Sequence, residues 1–217
     1  MQQDEFLGDE EAISKVSIED EVAPKNREDR KKVKHTLKKR FSAKRLSLMA
    51  VFVALAFSVS LLDFPIFPAT PFLKLDFGNA FILLIAFLLG PVEGIIVCAL
   101  KESLRILTSS SGGVGEIANM LTTTAYILLP ATLYQFKKGL KTVIPSLGIA
   151  CLLGTTVALV TNRFITFPLY MGSGASAVFW QSFYFILAFN LIKTVSVSVL
   201  TLLLYKRLSK FLKKMKI

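Results

Sequence analysis

The stretch ILAFNLIKTVSVSVLTLLLY, Ile186 to Tyr205, decides the fold class. It is apolar except for hydroxyls, one amide at Asn190 and one ammonium at Lys193. Twenty residues at 1.5 Å each give a helix of roughly 30 Å, the hydrocarbon thickness of a bilayer. Asn190 and Lys193 are three apart and so share a face, and no acidic residue lies in that helix. An ammonium at that depth needs acceptors from other elements or from a bound molecule. We read the pair as facing a ligand.

Working outward, five further apolar runs suit membrane helices: Leu46 to Leu62, Phe77 to Leu89, Val92 to Leu107, Ile117 to Phe136 and Val143 to Ile165. The Ile186 to Tyr205 run itself continues upstream as far as Ala177. As one helix to Tyr205 it would measure roughly 43 Å, so its membrane part is placed at Ile186 to Tyr205 with the aromatic start at the interface. The expected fold is an all-α integral membrane bundle of six spans over residues 46–217. Residues 1–45 are different. They hold 22 of the 41 charged side chains and few apolar positions, and they read as a disordered, charged cytoplasmic tail. No short apolar core follows a brief basic start, so no cleavable signal is expected.

Lysine and arginine in short loops set the orientation. The basic run KKVKHTLKKRFSAKR before the first span, the Lys137, Lys138 and Lys141 cluster, and the terminal KRLSKFLKKMK all fall on one side if there are six spans. That side is inside, with both termini cytoplasmic in the cell membrane. The basic tail is suited to anionic lipid rather than to nucleic acid. The outside loops are then Asp63 to Asp76, Thr108 to Gly115 and Thr166 to Ser176.

With this topology the polar residues collect toward the outside: Lys101, Glu102, Arg105, Glu116, Asn119, Asn162, Arg163, Asn190 and Lys193. Ionisable groups at such depth face a cavity or one another. Several readings stay open here. Glu102 and Arg105, three apart, either neutralise each other or line the cavity. Glu116 and Asp76 either serve helix N-termini or meet a ligand, and Arg163 either snorkels to head groups or faces inward. Ala50, Ala54 and Ser58 repeat every fourth residue, a stripe that permits close helix approach. It either packs within this chain or docks a membrane partner.

The small counts remove whole classes. The single histidine, His35, lies in the tail, so no His-based hydrolase or zinc site fits the membrane domain. No metal is expected, and no enzyme. Cys98 and Cys151 sit in apolar runs as packing residues. In SSSGGVGE, Ser109 to Glu116, the last glycine is followed by Glu116 where a Walker A loop needs Lys, so any ATP hydrolysis must come from another chain.

Five motifs carry a family resemblance: FPATPFLKLDF (Phe67 to Phe77), GPVEG (Gly90 to Gly94), SGGVGEIAN (Ser111 to Asn119), NRFITFPLY (Asn162 to Tyr170) and FNLIK (Phe189 to Lys193). The chain from Leu46 onward resembles the S components of energy-coupling-factor vitamin transporters, of the riboflavin-binding type. The first three motifs speak to fold, the last two to the riboflavin member. The resemblance implies riboflavin as cargo, with no cofactor, held by Asn162, Asn190 and Lys193 beneath a stiff apolar lid that includes Phe72 and Leu73. It further implies a membrane coupling subunit docked on Ala50, Ala54 and Ser58, and two ATPases that drive reorientation in the bilayer. An S component for thiamine or a folate is the alternative. The chain departs from the family pattern in its charged tail, at Glu102, and at Gly78, where relatives often carry a small hydroxyl residue.

Overall fold

The computed structural model describes residues 42–109 and 111–214, with side chains to residue 207. The expected charged tail lies outside the described residues except for its last four. The unit considered below runs from Ser47 onward.

Helix α1 spans Ala43–Ser60, α2 Asn79–Leu89, α3 Pro91–Ile106, α4 Val114–Phe136 and α5 Leu140–Thr161. A π-helical turn, Asn162–Thr166, leads into the short α6, Phe167–Met171. A 3₁₀ turn, Gly172–Gly174, then leads into α7, Ala175–Lys214. Between α1 and α2 a two-residue antiparallel ladder, β1 (Phe64–Pro65) on β2 (Lys74–Leu75), closes the intervening loop.

The first five expected apolar runs are helical within a few residues of their expected ends, and the sixth, Ile186 to Tyr205, lies inside a longer helix. Two differences matter. The segment read as an open loop after Ile165 is almost wholly helical, built from the π turn, α6 and the 3₁₀ turn. And α7 is one uninterrupted helix of 40 residues, about 60 Å long.

Helix α2 sits at the centre. Its sequence NAFILLIAFLL is apolar on every side, and Ile82, Leu83, Leu84, Ile85 and Ala86 are all essentially inaccessible. A helix with no polar face must be surrounded. With 11 residues it is only about 16 Å long, a core element packed within the bundle. It stops at Gly90, where φ is +132° and an L side chain would be strained. Pro91 then opens α3 at the position where its missing N–H costs nothing. Four residues after Gly90, a Cβ on Gly94 would lie 2.6 Å from the Ala86 side chain, so the GPVEG motif is the hinge that folds α3 back against α2.

The outward faces of α1, α5 and α7 are apolar. Val51, Leu55, Leu152, Val160 and Trp180 are among the exposed large side chains. Two helical stretches, Ala43–Ser60 and Leu140–Arg207, are long and apolar enough to cross a membrane.

Candidate functional site

The loop between α1 and α2 is pinned at both ends by one face of α3. Arg105 donates to the Asp63 carboxylate at the loop's start, and Lys101 pairs with Asp76 at its end. Lys101 and Arg105 are four apart, so one helix face reaches both acids. Lys74 adds a weaker contact to Asp63 at 3.7 Å. Asp76 also accepts the Gly78 N–H at 2.6 Å. Burial alone would raise the Asp76 carboxyl. The Lys101 ammonium, then Lys193, and the bonds from Lys101 and Gly78 outweigh it and hold the group below its ordinary range.

Gly78 has a steric reason. A Cβ there would run into the Ala56 carbonyl of α1, so a residue with a side chain has no room at this position.

From Lys101 the polar contacts continue inward. Its ammonium also meets Glu102 at 2.8 Å and the Asn79 carbonyl oxygen at 3.5 Å. The Asn79 amide donates to Asn119 at 3.1 Å and to Thr123 at 3.0 Å. Asn119 in turn donates to Glu102 and accepts from the Lys193 ammonium at 2.6 Å. Four helices, α2, α3, α4 and α7, are thereby joined by buried charge-assisted bonds, the strong kind in a low-dielectric setting. Of the two readings left open for Glu102 and Arg105, their mutual ion pair is not seen among the described residues. Glu102 serves Lys101 and Asn119, whereas Arg105 reaches 42 residues back to Asp63.

The chemistry of Lys193 is unfinished by these contacts. An ammonium has three donors, and among the described residues one goes to Asn119 while the ring of Phe189 lies 5.8 Å from the nitrogen. Asn190 and Asn162 resemble each other. Each is buried, and each donates to the carbonyl four residues back, Ile186 and Ala158, at 2.8 Å. That bond leaves each amide with its oxygen and a second N–H. At Asn162 the backbone enters the π turn, a form that often marks functional sites.

Over these groups lies an apolar cluster. Leu73 and Leu75 from the loop pack with Phe167, Phe179, Ile186 and Phe189. Phe72, half exposed, stands edge-on to Phe167 at 5.7 Å, and Phe67 to Phe185 at 5.5 Å. Leu159 and Phe167, on either side of Asn162, belong to the same cluster as Ile186 and Phe189, which lie in the turn just before Asn190. The loop, the π turn and the first half of α7 therefore converge on one region.

A family model for the substrate-specific component of ECF transporters matches residues 44–205. This chain belongs to that family. It is 36% identical over 179 residues to the riboflavin transporter RibU of Staphylococcus aureus, covering 79% of this chain and 93% of that protein. Against the riboflavin transporter FmnP of Bacillus subtilis it is 30% identical over 181 residues, covering 79% and 95%. A solved structure of the S component of a bacterial ECF transporter matches with a TM-score of 0.69 at 37% identity, over 78% of this chain and 98% of that one. Family membership and the long apolar stretches make this a membrane protein, a transport component and not an enzyme.

As an ECF substrate-specific component, the chain carries its expected site residues as follows. Asn162, Asn190 and Lys193 are held in the bundle, the first two buried. Leu73 is buried in the aromatic cluster and Phe72 lies at its edge. Ala50, Ala54 and Ser58 are all exposed, while Met49, Phe52, Val53, Ala56 and Ser60 form the face that α1 buries. Glu116 accepts from Ser111 in the first turn of α4. Arg163 donates to Ser176 at 3.1 Å, its guanidinium 5.6 Å and 5.9 Å from the Phe164 and Phe179 rings.

Two participants escaped the sequence reading. Asn79 is an amide at the start of an otherwise apolar helix, which was the available signal. Asp63 is the counterpart of Asp76 at the other end of the loop, and its partners become visible only once α3 is folded beside it.

Proposed function

We propose that this chain is the riboflavin-binding S component of an ECF-type importer in the cell membrane. The names of its relatives RibU and FmnP support the substrate. One observation carries the site: an ammonium with unused donors, Lys193, stands on the helix face of a buried amide, Asn190, beneath an apolar and aromatic loop. The isoalloxazine of riboflavin is flat and largely apolar, and its pyrimidine edge presents donors and acceptors together. Asn162 and Asn190 each offer both functions to such an edge. Lys193 supplies donors to ring or ribityl oxygens. Phe72 and Leu73 cover a ring face, where apolar contact and aromatic edges give most of the burial.

The topology that goes with this reading has six spans, both termini in the cytoplasm, and the loop at 63–76 outside. Three basic clusters on one side support it. In that frame the ligand enters from outside beneath the loop. The exposed Ala50, Ala54 and Ser58 stripe receives a membrane coupling subunit, which with two ATPases moves the loaded protein.

Purification without added vitamin, followed by an absorbance spectrum, tests the substrate directly. Flavin bands and quenching of riboflavin fluorescence on titration are expected. Binding of thiamine or a folate in place of riboflavin would move the assignment to another vitamin. For docking, Ala54→Trp should leave flavin binding intact and abolish uptake, and persisting uptake would remove the stripe from the interface.

A further inference from the structure

Lys193 lacks a carboxylate of its own. Among the described residues it makes no ion pair, and its polar contact within the protein is the amide oxygen of Asn119, 2.6 Å away. The other end of that amide donates to Glu102. This fixes which way round the amide stands. An ionised carboxylate only accepts and an ammonium only donates, so turning the amide over would set oxygen against oxygen and N–H against N–H. Asn79 supports the same orientation by donating to the Asn119 oxygen at 3.1 Å.

Beyond Glu102 the chain of contacts runs through Lys101, 2.8 Å from the Glu102 carboxylate, to Asp76 at the base of the loop. Signs alternate along it: Asp76 negative, Lys101 positive, Glu102 negative, then the Asn119 dipole, then Lys193 positive. A neutral amide at the last step holds the ammonium in place without neutralising it. A carboxylate there would tie up the charge that a ligand oxygen would otherwise meet.

We infer that Asn119 is the positioning residue for Lys193: braced by Glu102, it aims the ammonium at the bound vitamin and links the ligand to the base of the lid loop. This deepens the reading given under Proposed function and rests on it, since it needs Lys193 to contact the ligand.

A double-mutant cycle on the full-length protein in detergent tests it, with riboflavin affinity from fluorescence quenching and ligand-free melting temperature as paired readouts. Lys193→Met should weaken binding by about tenfold or more, and Asn119→Ala by roughly three- to tenfold. If Asn119 acts through Lys193, Asn119→Ala adds nothing further once Lys193 is already Met. A residue of general structural importance would lower affinity equally in both backgrounds, and that additive result overturns the inference. Unchanged affinity in Asn119→Ala with a weakened Lys193→Met also overturns it while leaving the site intact. Unchanged affinity in Lys193→Met removes the site reading and this inference together. Should Asn119→Ala not fold, Asn119→Ser, whose hydroxyl is too short to reach Lys193 but can bond its own helix backbone, carries the same expectation in the cycle.

Discussion

The two ends of the bundle both bury polar groups, and they do so in opposite ways. At the end where α2 meets α3, Tyr134 bonds Tyr205 with Phe87 packed against both rings, at 5.1 Å and 6.1 Å. Midway along α7, Tyr126 meets Ser198 at 2.5 Å and the Thr194 carbonyl at 3.3 Å. Thr194, Ser198 and Thr201 each donate to the carbonyl one turn back. The tyrosine, serine and threonine groups named here are neutral, and each of their hydroxyls ends on a nearby acceptor; the buried carboxyl of Glu93, in the first turn of α3, is the acidic exception at this end. The loop end holds charges instead, among them the Asp76 and Glu102 carboxylates and the Lys101 and Lys193 ammonium groups, with Lys193 incompletely partnered. Burial of a polar group at membrane depth is therefore not by itself a mark of function. Bonding capacity left over is the better mark.

That contrast breaks most visibly at Lys101. Lys101→Met leaves Asp76 and Glu102 buried without their shared cation, and such one-sided loss costs about 3–5 kcal/mol. Unfolding in detergent measures it, and a change below about 1 kcal/mol would mean that the clamp on the loop is not an anchor. Next in size, Asn190→Ala and Lys193→Ala should each weaken riboflavin binding by about 1–3 kcal/mol while ligand-free stability changes less than in Lys101→Met. Equal losses of stability and affinity would make them part of the scaffold. On the neutral side of the comparison, Tyr126→Phe removes one hydroxyl from a closed set. It should cost about 1 kcal/mol of stability and leave the flavin dissociation constant unchanged; a shifted constant would extend the ligand site down to Ser198.

The comparison also explains what the sequence made legible. The helices follow from apolar runs, because hydrophobicity over a dozen residues is a local property. Lys193 was readable for a similar reason: a cation in an apolar helix with no local acid must look elsewhere. Partnerships were not readable where a local rule competed with a tertiary one. The three-residue spacing of Glu102 and Arg105 suggested a pair, yet Asp63 across the fold took Arg105 and the adjacent Lys101 took Glu102. The stripe Ala50, Ala54, Ser58 left its face undecided, because α1 is apolar all round: Met49, Phe52 and Ala56 make an apolar stripe on the opposite face, about half a turn away, and that one is buried. The π turn at Asn162 and the helical cover after it have no signal in hydropathy. The wider π turn changes the backbone hydrogen-bond register from i−4 to i−5, which the apolar pattern of residues 162–166 does not encode.

The smallest expected signal is a slope in pH, and it comes from the loop base. Burial pushes the Asp76 carboxyl up, and the neighbouring cations, chiefly Lys101, outweigh it and hold the group below the ordinary value of 3.8. A group whose folded value is depressed contributes stability fully above its unfolded value and loses it as the pH falls through the lower folded one. Between neutrality and 3.8 the Asp76 contribution is therefore constant; below that it declines. Melting curves in detergent on either side of this value should show wild type losing stability on acidification, with the gap between it and Asp76→Asn narrowing, because the amide has no charge to lose. Asparagine at this position can still accept the Gly78 N–H, so the comparison isolates the ion pair to Lys101 from the turn that Asp76 also shapes. Parallel curves for the two proteins through that range would place the acid sensitivity elsewhere and leave Asp76 as a turn residue alone.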